Sequence, residues 1–204
     1  MKKIGIFGGT FNPIHKGHIK CIEKIDKELS FDKILIIPDK LPPHKEAQDL
    51  ANDIDRLNMC RLAARHIKKA VVSDIEIKED QKSYSVFTLR KLIKIYPKDK
   101  FRLYFIMGSD MLLCFETWYE YREILSLCSL VCISRSDSDT PCLESYAEKL
   151  RSIGGDVIII NAEPIDISST EIRNRIRDSK DLSCFLDDLV VKYISENDVY
   201  NGLR

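Results

Sequence analysis

Apolar and polar positions divide the chain into short and long segments that alternate along its length. The short segments are continuous apolar runs, which are typical of strands buried on both faces of a parallel sheet. Pro38 stops one of these runs, and Gly154 with Gly155 turns the chain into the last one. The predicted strands are Lys3 to Phe7, Lys33 to Ile37, Val71 to Ile77, Arg102 to Met107, Leu130 to Ile133 and Val157 to Ile160.

The longer segments repeat their apolar residues at helical spacing, as Ile19, Ile22, Ile25 and Leu29 do. Strands that alternate with helices pair in parallel through right-handed crossovers. The pattern therefore predicts an α/β protein with a doubly wound parallel sheet, whose ligand lies beyond the carboxyl ends of the strands. The predicted helices are His18 to Leu29, Ile54 to Ile67, Ser85 to Tyr96 and Glu144 to Ile153, with two more between Ser169 and Ile194.

Length and composition fit one ordinary domain. The chain has 204 residues, of which 44% are hydrophobic and 31% charged, and it has no internal repeat or linker. We therefore expect residues 1–204 to form a single domain, with residues 168–204 as its helical C-terminal part. Basic and acidic residues both number 32. That balance gives no support for a nucleic-acid partner, which would favour a basic excess.

Cysteine usage and the absence of long apolar runs bear on the compartment. The seven cysteines are scattered and include no Cys-x-x-Cys pair, so they are interpreted as reduced thiols, mostly buried. We expect no signal peptide, and no apolar run approaches the roughly 18 residues of a membrane span. We expect a cytoplasmic protein without a membrane partner.

The first segment whose residues could take part in a reaction runs from Gly8 to His18, between the first strand and the first helix. Paired glycines let a phosphate approach the backbone closely, and a helix start offers unpaired N–H groups. His15 and His18, which flank Gly17, can donate hydrogen bonds to phosphate oxygens whose charge changes during a transfer. The segment matches neither the Gly-x-Gly-x-x-Gly fingerprint nor a Walker loop.

Two other interpretations of this segment stay open. His15 and His18 could bind zinc, but further ligands at a sensible spacing are missing from the sequence. The segment could also be a plain strand–turn–helix corner with incidental histidines.

The second segment runs from Ile167 to Arg173. Ser168 or Ser169 is a natural helix N-cap with Glu171 close behind, so a merely capped helix is one interpretation. In the functional interpretation the hydroxyls and N–H groups of this helix start face triphosphate oxygens. Arg173, one turn along, adds a charged fork to them.

Five short motifs in a fixed order resemble those of the bacterial nicotinate-nucleotide adenylyltransferases, within the His-x-Gly-His nucleotidyltransferase superfamily. The resemblance spans nearly the whole chain. The motifs are Gly8 to His18, Pro42-Pro43-His44-Lys45, Gly108-Ser109-Asp110, Trp118-Tyr119 and Ser168 to Arg173. The resemblance implies a Rossmann-like nucleotidyltransferase fold.

The resemblance also implies an activity: AMP is transferred from ATP to nicotinate mononucleotide, giving nicotinate adenine dinucleotide and pyrophosphate in NAD biosynthesis. It implies Mg²⁺ bound mainly by ATP, so we assign the ion no protein ligand. It also allows assembly into homo-oligomers. The expected catalytic residues are His15, His18, Lys45 and Arg173.

The remaining expected site residues divide between the two substrates. Ser85, Trp118 and Tyr119 are expected to bind the mononucleotide, with Trp118 stacking on the pyridine ring and Ser85 contacting the pyridine carboxylate. The expected ATP-binding residues are Gly8, Gly9, Thr10, Phe11, Gly108, Asp110, Ser168, Ser169 and Thr170.

Each of these roles has a structural alternative. Trp118 could be a partly buried core ring, Asp110 a helix N-cap, and Lys45 a solvated loop residue. Asn12 stands where the family usually has Asp, and Ser85 stands where Thr is common. Two rival functions also remain: an adenylyltransferase of the same superfamily with another acceptor, such as phosphopantetheine, and a catalytically silent nucleotide sensor.

Overall fold

The structure is a computed structural model, and it describes residues 1–40, 49–79, 83–134, 140–162 and 167–200. Six parallel strands form one sheet in the order β3-β2-β1-β4-β5-β6. They are β1 (Lys2–Gly9), β2 (Lys33–Pro38), β3 (Ala70–Val72), β4 (Phe101–Gly108), β5 (Ser129–Ser134) and β6 (Val157–Asn161).

Eight α-helices and one 3₁₀ turn are seen in the described part of the chain. The first four helices are α1 (Lys16–Leu29), α2 (Asp53–Ala64), α3 (Ser85–Ile95) and α4 (Ser109–Leu113), and the 3₁₀ turn is Phe115–Thr117. The others are α5 (Tyr121–Leu127), α6 (Thr140–Ser152), α7 (Ser169–Arg177) and α8 (Asp188–Glu196). None of the helices in these ranges is long and apolar enough to cross a membrane.

The sheet is covered on both faces, as the continuous apolar strands predicted. Alternate residues of β2 point to opposite sides: Ile34 and Ile36 belong to one core, and Leu35 and Ile37 to the other. Helices α1, α2, α7 and α8 cover the first core, and α3 to α6 cover the second. The predicted doubly wound α/β fold is confirmed.

The strand order determines where a ligand can enter. From β1 the chain moves outward through β2 and β3, then crosses back to β4 on the other side of β1. The carboxyl ends of β1 and β4 are therefore the topological switch point, where such sheets leave a crevice for ligands. Gly9 ends β1 and Gly108 ends β4 at this edge.

Two predictions of local structure were wrong. The strand expected from Val71 to Ile77 ends at Val72, because β3 is a short edge strand and the chain turns again around Ile75 to Lys78. The region from Ser109 to Leu127, for which no element was predicted, contains α4, the 3₁₀ turn and α5. Asp110 is not a helix N-cap, since Gly108 caps α4 and Asp110 lies in its first turn.

Candidate active site

A cleft of about 770 Å³ opens at the carboxyl ends of β1 and β4. It is the switch-point crevice, and α7 closes one of its sides. Lys45 and the rest of the Pro42 to Lys45 motif lie outside the described residues. The expected site residues that line the cleft are Gly8, Gly9, Thr10, Phe11, His15, His18, Ser85, Gly108, Asp110, Trp118, Tyr119, Ser168, Ser169, Thr170 and Arg173.

The two histidines form a stacked pair at the start of α1. Their ring centroids are 3.6 Å apart, with an angle of 29° between the planes. The backbone N–H of His15 donates to Nδ1 of His18 over 3.2 Å. Because Nδ1 accepts this bond, a neutral His18 carries its proton on Nε2, where it can act as a donor.

The corner that leads into α1, residues 9 to 15, is held in place by the ring of Phe11 and by polar contacts. Phe11 adopts a left-handed backbone conformation with φ of 47° and is 3% exposed. Its ring meets the His18 ring edge-on, with centroids 5.2 Å apart. A non-glycine residue adopts this conformation only where its surroundings hold it, so the packing of Phe11 helps to fix His18.

Asn12 links this corner to the segment that precedes α2. Its Nδ2 donates to the carbonyl oxygen of Asp49 over 2.8 Å, and its Oδ1 accepts from the N–H of Ala51 over 3.0 Å. The two bonds need a donor and an acceptor on one side chain, which an amide supplies. Asn12, in the place of the family's usual Asp, therefore uses both ends of its side chain to hold the loop.

Helix α7 meets the corner directly. The hydroxyl of Ser169 donates to the carbonyl oxygen of Pro13 over 3.0 Å, and Nη1 of Arg173 donates to the carbonyl oxygen of Asn12 over 2.9 Å. Ser168 is the N-cap, accepting from the N–H of Glu171 over 3.1 Å. The two ends of the sequence thus meet around one cleft, with the start of α7 directed at it.

Comparison with known proteins agrees with this geometry. The cytidylyltransferase-like family model matches residues 6–175. A protein named as a probable nicotinate-nucleotide adenylyltransferase of Fusobacterium nucleatum is 41% identical, over 95% of this chain and 97% of its own length. One of the same name from Shewanella pealeana is 37% identical, over 98% and 96%. The chain belongs to the nicotinate-nucleotide adenylyltransferase family.

Solved structures show the same fold at lower identity. Nicotinic acid mononucleotide adenylyltransferase of Plasmodium falciparum, complexed with NaAD, superposes with a TM-score of 0.78. It is 20% identical and covers 98% of both chains. At this identity the comparison supports the Rossmann-like nucleotidyltransferase fold, and the family assignment rests on the closer relatives.

On the face of the sheet opposite α7, this adenylyltransferase has an aromatic wall along the cleft. Trp118 packs against Phe105 and Phe115, with centroid distances of 5.8 and 5.3 Å. Its indole Nε1 is buried and has no hydrogen-bond partner within the described residues. Tyr119 is half exposed and packs against Tyr84, 5.0 Å away. Trp118 is therefore both a core ring and part of the cleft wall.

The start of α3 lies beside the aromatic wall. Ser85 is the first residue of α3, so its hydroxyl and the first N–H groups of the helix lie at the cleft. A helix start with a hydroxyl is suited to an anion such as a carboxylate.

Three charged residues next to these elements were not predicted from the sequence. Arg56 is completely buried, and Asp39 and Glu76 line the cleft. Burial raises the pKa of Glu76, and the negative charge of Asp39 adds to the rise, against hydrogen bonds from Thr88 and Ser83. None of the three belongs to a short motif, and Arg56 looks like an ordinary helix-surface residue in the sequence. The unusual role of Arg56 becomes visible only in the folded structure, where its side chain is completely buried.

Proposed function

We propose that this cleft binds ATP and nicotinate mononucleotide together and transfers AMP from the first to the second. The observation that carries the proposal is the contact of α7 with the histidine corner. Ser169 and Arg173 donate to the carbonyl oxygens of residues 13 and 12, so the two predicted phosphate-binding segments line one cleft. The activity is that of the family, and the residue roles below are our assignment.

The reaction is an in-line displacement at the α-phosphorus of ATP. An oxygen of the mononucleotide 5′-phosphate forms a bond to the α-phosphorus, while the bond from that phosphorus to the oxygen bridging the α- and β-phosphates breaks. Pyrophosphate leaves with the electron pair, and no covalent enzyme intermediate forms. Such a displacement needs little beyond positioning and charge stabilisation.

The histidine pair stabilises the charge that develops at the α-phosphate. Nδ1 of His18 accepts from the backbone of His15, so the proton of a neutral His18 lies on Nε2. The two rings stack with centroids 3.6 Å apart, so both imidazoles lie at the same place in the cleft. We assign His18 as the main catalytic donor, with His15 beside it.

The triphosphate lies along the start of α7. The hydroxyls of Ser168 and Thr170 and the backbone N–H groups of Ser169 and Thr170 at the start of α7 surround it, and Arg173 adds positive charge. The paired glycines of β1 allow close backbone approach on the opposite side, and we assign Lys45 to phosphate binding. Asp110, in the first turn of α4, accepts hydrogen bonds from ribose hydroxyls.

The mononucleotide lies against the aromatic wall, with its pyridine ring on Trp118. Its carboxylate faces Ser85 and the N–H groups at the start of α3. The positive end of the helix dipole stabilises a carboxylate more than a neutral amide. We therefore expect nicotinate mononucleotide to be preferred over nicotinamide mononucleotide.

A divalent metal ion is consistent with ATP-dependent transfer in this family, and we propose Mg²⁺. Among the residues that the structure describes, no group of three His, Cys, Asp or Glu side chains could hold a metal. The residues present fit an ion whose ligands come mainly from phosphate oxygens and water. Held in that way, Mg²⁺ would neutralise phosphate charge. Because α7 and α8 pack into the same core as β1, we also propose that residues 1–204 form one domain.

The experiment measures pyrophosphate release with ATP, Mg²⁺ and one acceptor at a time. The acceptors are nicotinate mononucleotide, nicotinamide mononucleotide and phosphopantetheine. We expect release with nicotinate mononucleotide, with a lower kcat/KM for the amide and none for phosphopantetheine. Turnover with phosphopantetheine alone would overturn the substrate assignment, and binding of ATP without turnover of any acceptor would favour a nucleotide sensor.

A further inference from the structure

A guanidinium group is buried directly behind the histidine corner. Arg56, in the first turn of α2, has no exposed surface, although an arginine is rarely buried without partners. It does not line the cleft, so it does not reach a substrate. Its burial therefore needs an explanation other than direct catalysis.

The donors of Arg56 are directed to three different segments of the chain. Nη1 donates to the carbonyl oxygen of Thr10 over 2.7 Å and to Oδ1 of Asp39 over 3.3 Å. Nε donates to the carbonyl oxygen of Ala51 over 3.2 Å, and Nη2 to Oδ1 of Asp53 over 2.6 Å. A planar fork with five N–H groups can reach four oxygens in this way, and a lysine cannot.

These contacts hold the corner at more than one point. The hydroxyl of Thr10 donates to Oδ2 of the same Asp39 over 2.9 Å, so Thr10 is held by both its carbonyl and its side chain. The backbone N–H of Asp39 donates to the carbonyl oxygen of Gly9 over 3.0 Å. Ala51, whose carbonyl Arg56 holds, donates its own N–H to Asn12. The corner is thus held on both sides of Phe11, whose ring contacts His18.

We propose that Arg56 is a positioning residue for the AMP transfer. From its buried place outside the cleft, it fixes the backbone path of the corner from Thr10 to His15. The inference rests on the proposed function. A buried ion pair is weak evidence for a contribution to stability alone, since apolar replacements are often as stable. Here the bond from Arg56 to the corner goes to the backbone carbonyl of Thr10, the group that fixes the course of a loop.

Three variants separate positioning from stability. Arg56→Lys keeps the charge but cannot span the four oxygens, and Arg56→Met removes every donor. The control is Arg65→Met at the end of α2, which breaks a partly exposed ion pair with Asp187 and a bond to the carbonyl oxygen of Leu62, away from the cleft. Each variant is compared with the natural chain in thermal unfolding, in kcat and KM for both substrates, and in amide hydrogen exchange.

We expect Arg56→Lys to fold and to lose at least about tenfold in kcat, since small misplacements of reacting groups are costly. KM for each substrate should change less, by about threefold at most, because Arg56 does not line the cleft and the substitution misplaces reacting groups without removing a substrate contact. Amide hydrogen exchange of Arg56→Lys without substrates should be faster than that of the natural chain in peptides covering residues 9–15. Arg65→Met should lower the unfolding temperature and leave both kcat and this exchange close to those of the natural chain.

A folded Arg56→Lys protein with kcat and exchange over residues 9–15 like those of the natural chain overturns the inference. If Arg56→Met fails to fold, Arg56→Lys alone decides. The exchange measurement does not depend on activity, so it tests the positioning even if no acceptor supports turnover. Lack of turnover in the natural chain would instead count against the proposed function.

Discussion

Arg173 donates a hydrogen bond from Nη1 to the carbonyl oxygen of Asn12, joining residues that are 161 positions apart in the chain. Nη2 of the same guanidinium donates to Oγ1 of Thr170 over 3.2 Å. The side chain therefore links the start of α7 to the corner that leads to the histidines. In our account this link brings the triphosphate-binding helix and the catalytic histidines to one reacting phosphorus.

Substitution of Arg173 by lysine tests this link. Lysine keeps the positive charge, but its single ammonium group cannot bond Asn12 and Thr170 with the same planar geometry. We expect kcat/KM to fall at least about tenfold, which is the size of a lost charged hydrogen bond of about 1.5–3 kcal/mol.

The matched control is Arg177→Lys, one turn further along α7. Arg177 pairs with Asp49 over 2.5 Å and does not line the cleft. This variant should keep kcat/KM within about twofold, since exposed ion pairs contribute little. Equal losses in the two variants would show that α7 acts only through its overall charge.

The two glycines at the end of β1 give opposite predictions for alanine substitution. A Cβ at Gly8 would come no closer than 3.9 Å to any other group, whereas a Cβ at Gly9 would lie 3.1 Å from Cε1 and Cζ of Phe11. Gly8→Ala should therefore keep or raise the free energy of unfolding, by about 0.5–1 kcal/mol for a residue in a strand. Its turnover should nevertheless fall, because the added methyl occupies the ligand's side of the cleft.

Gly9→Ala should lose stability, by about 1–3 kcal/mol for an overpacked position, because the Phe11 ring must move. Chemical denaturation and steady-state kinetics on both variants check this pair of predictions. Full activity in Gly8→Ala would mean that the substrate phosphates do not approach β1 at this point.

Glu76 gives a prediction for the pH dependence of stability. Its folded-state pKa is raised by burial and by Asp39, against hydrogen bonds from Thr88 and Ser83 and the charge of Lys91. For a carboxyl group with a raised pKa, the stabilising contribution is present below its ordinary pKa and is lost as the pH rises through the raised value. Glu76→Gln removes this loss and can still accept the bond from Thr88.

We therefore expect Glu76→Gln to unfold at a higher temperature than the natural chain at neutral pH. The difference should shrink as the pH falls toward the ordinary range of a glutamate. Thermal unfolding at a series of pH values measures it. A difference that stays constant or grows in acid contradicts the account of Glu76.

The strands and helices that carry the fold were predictable because burial acts on long stretches of sequence. The apolar runs of β2 and β4 are buried on both faces, so every residue there is under the same constraint. Helices α4 and α5 have five and seven residues, which is too few for a helical period to appear in the sequence. Beyond Val72, apolar and acidic residues alternate as in a strand, but the segment forms a turn.

The cleft shows a similar division. Residues in recognisable motifs, such as His18 and Arg173, could be placed from the sequence because their spacing follows the ends of elements. Arg56 could not, because its importance depends on contacts with Thr10 and Asp39, which are 46 and 17 positions away. Such contacts appear only once the strand order is known.

The most direct test of the central claim is the turnover of His18→Ala with ATP and nicotinate mononucleotide, measured as dinucleotide formed under saturating substrates. His66→Ala, which changes an exposed histidine, is the control for expression and folding. We predict that His18→Ala loses at least about a hundredfold in kcat, the effect of removing one transition-state donor, while it unfolds at nearly the natural temperature. A folded His18→Ala protein with kcat close to that of the natural chain would contradict the account.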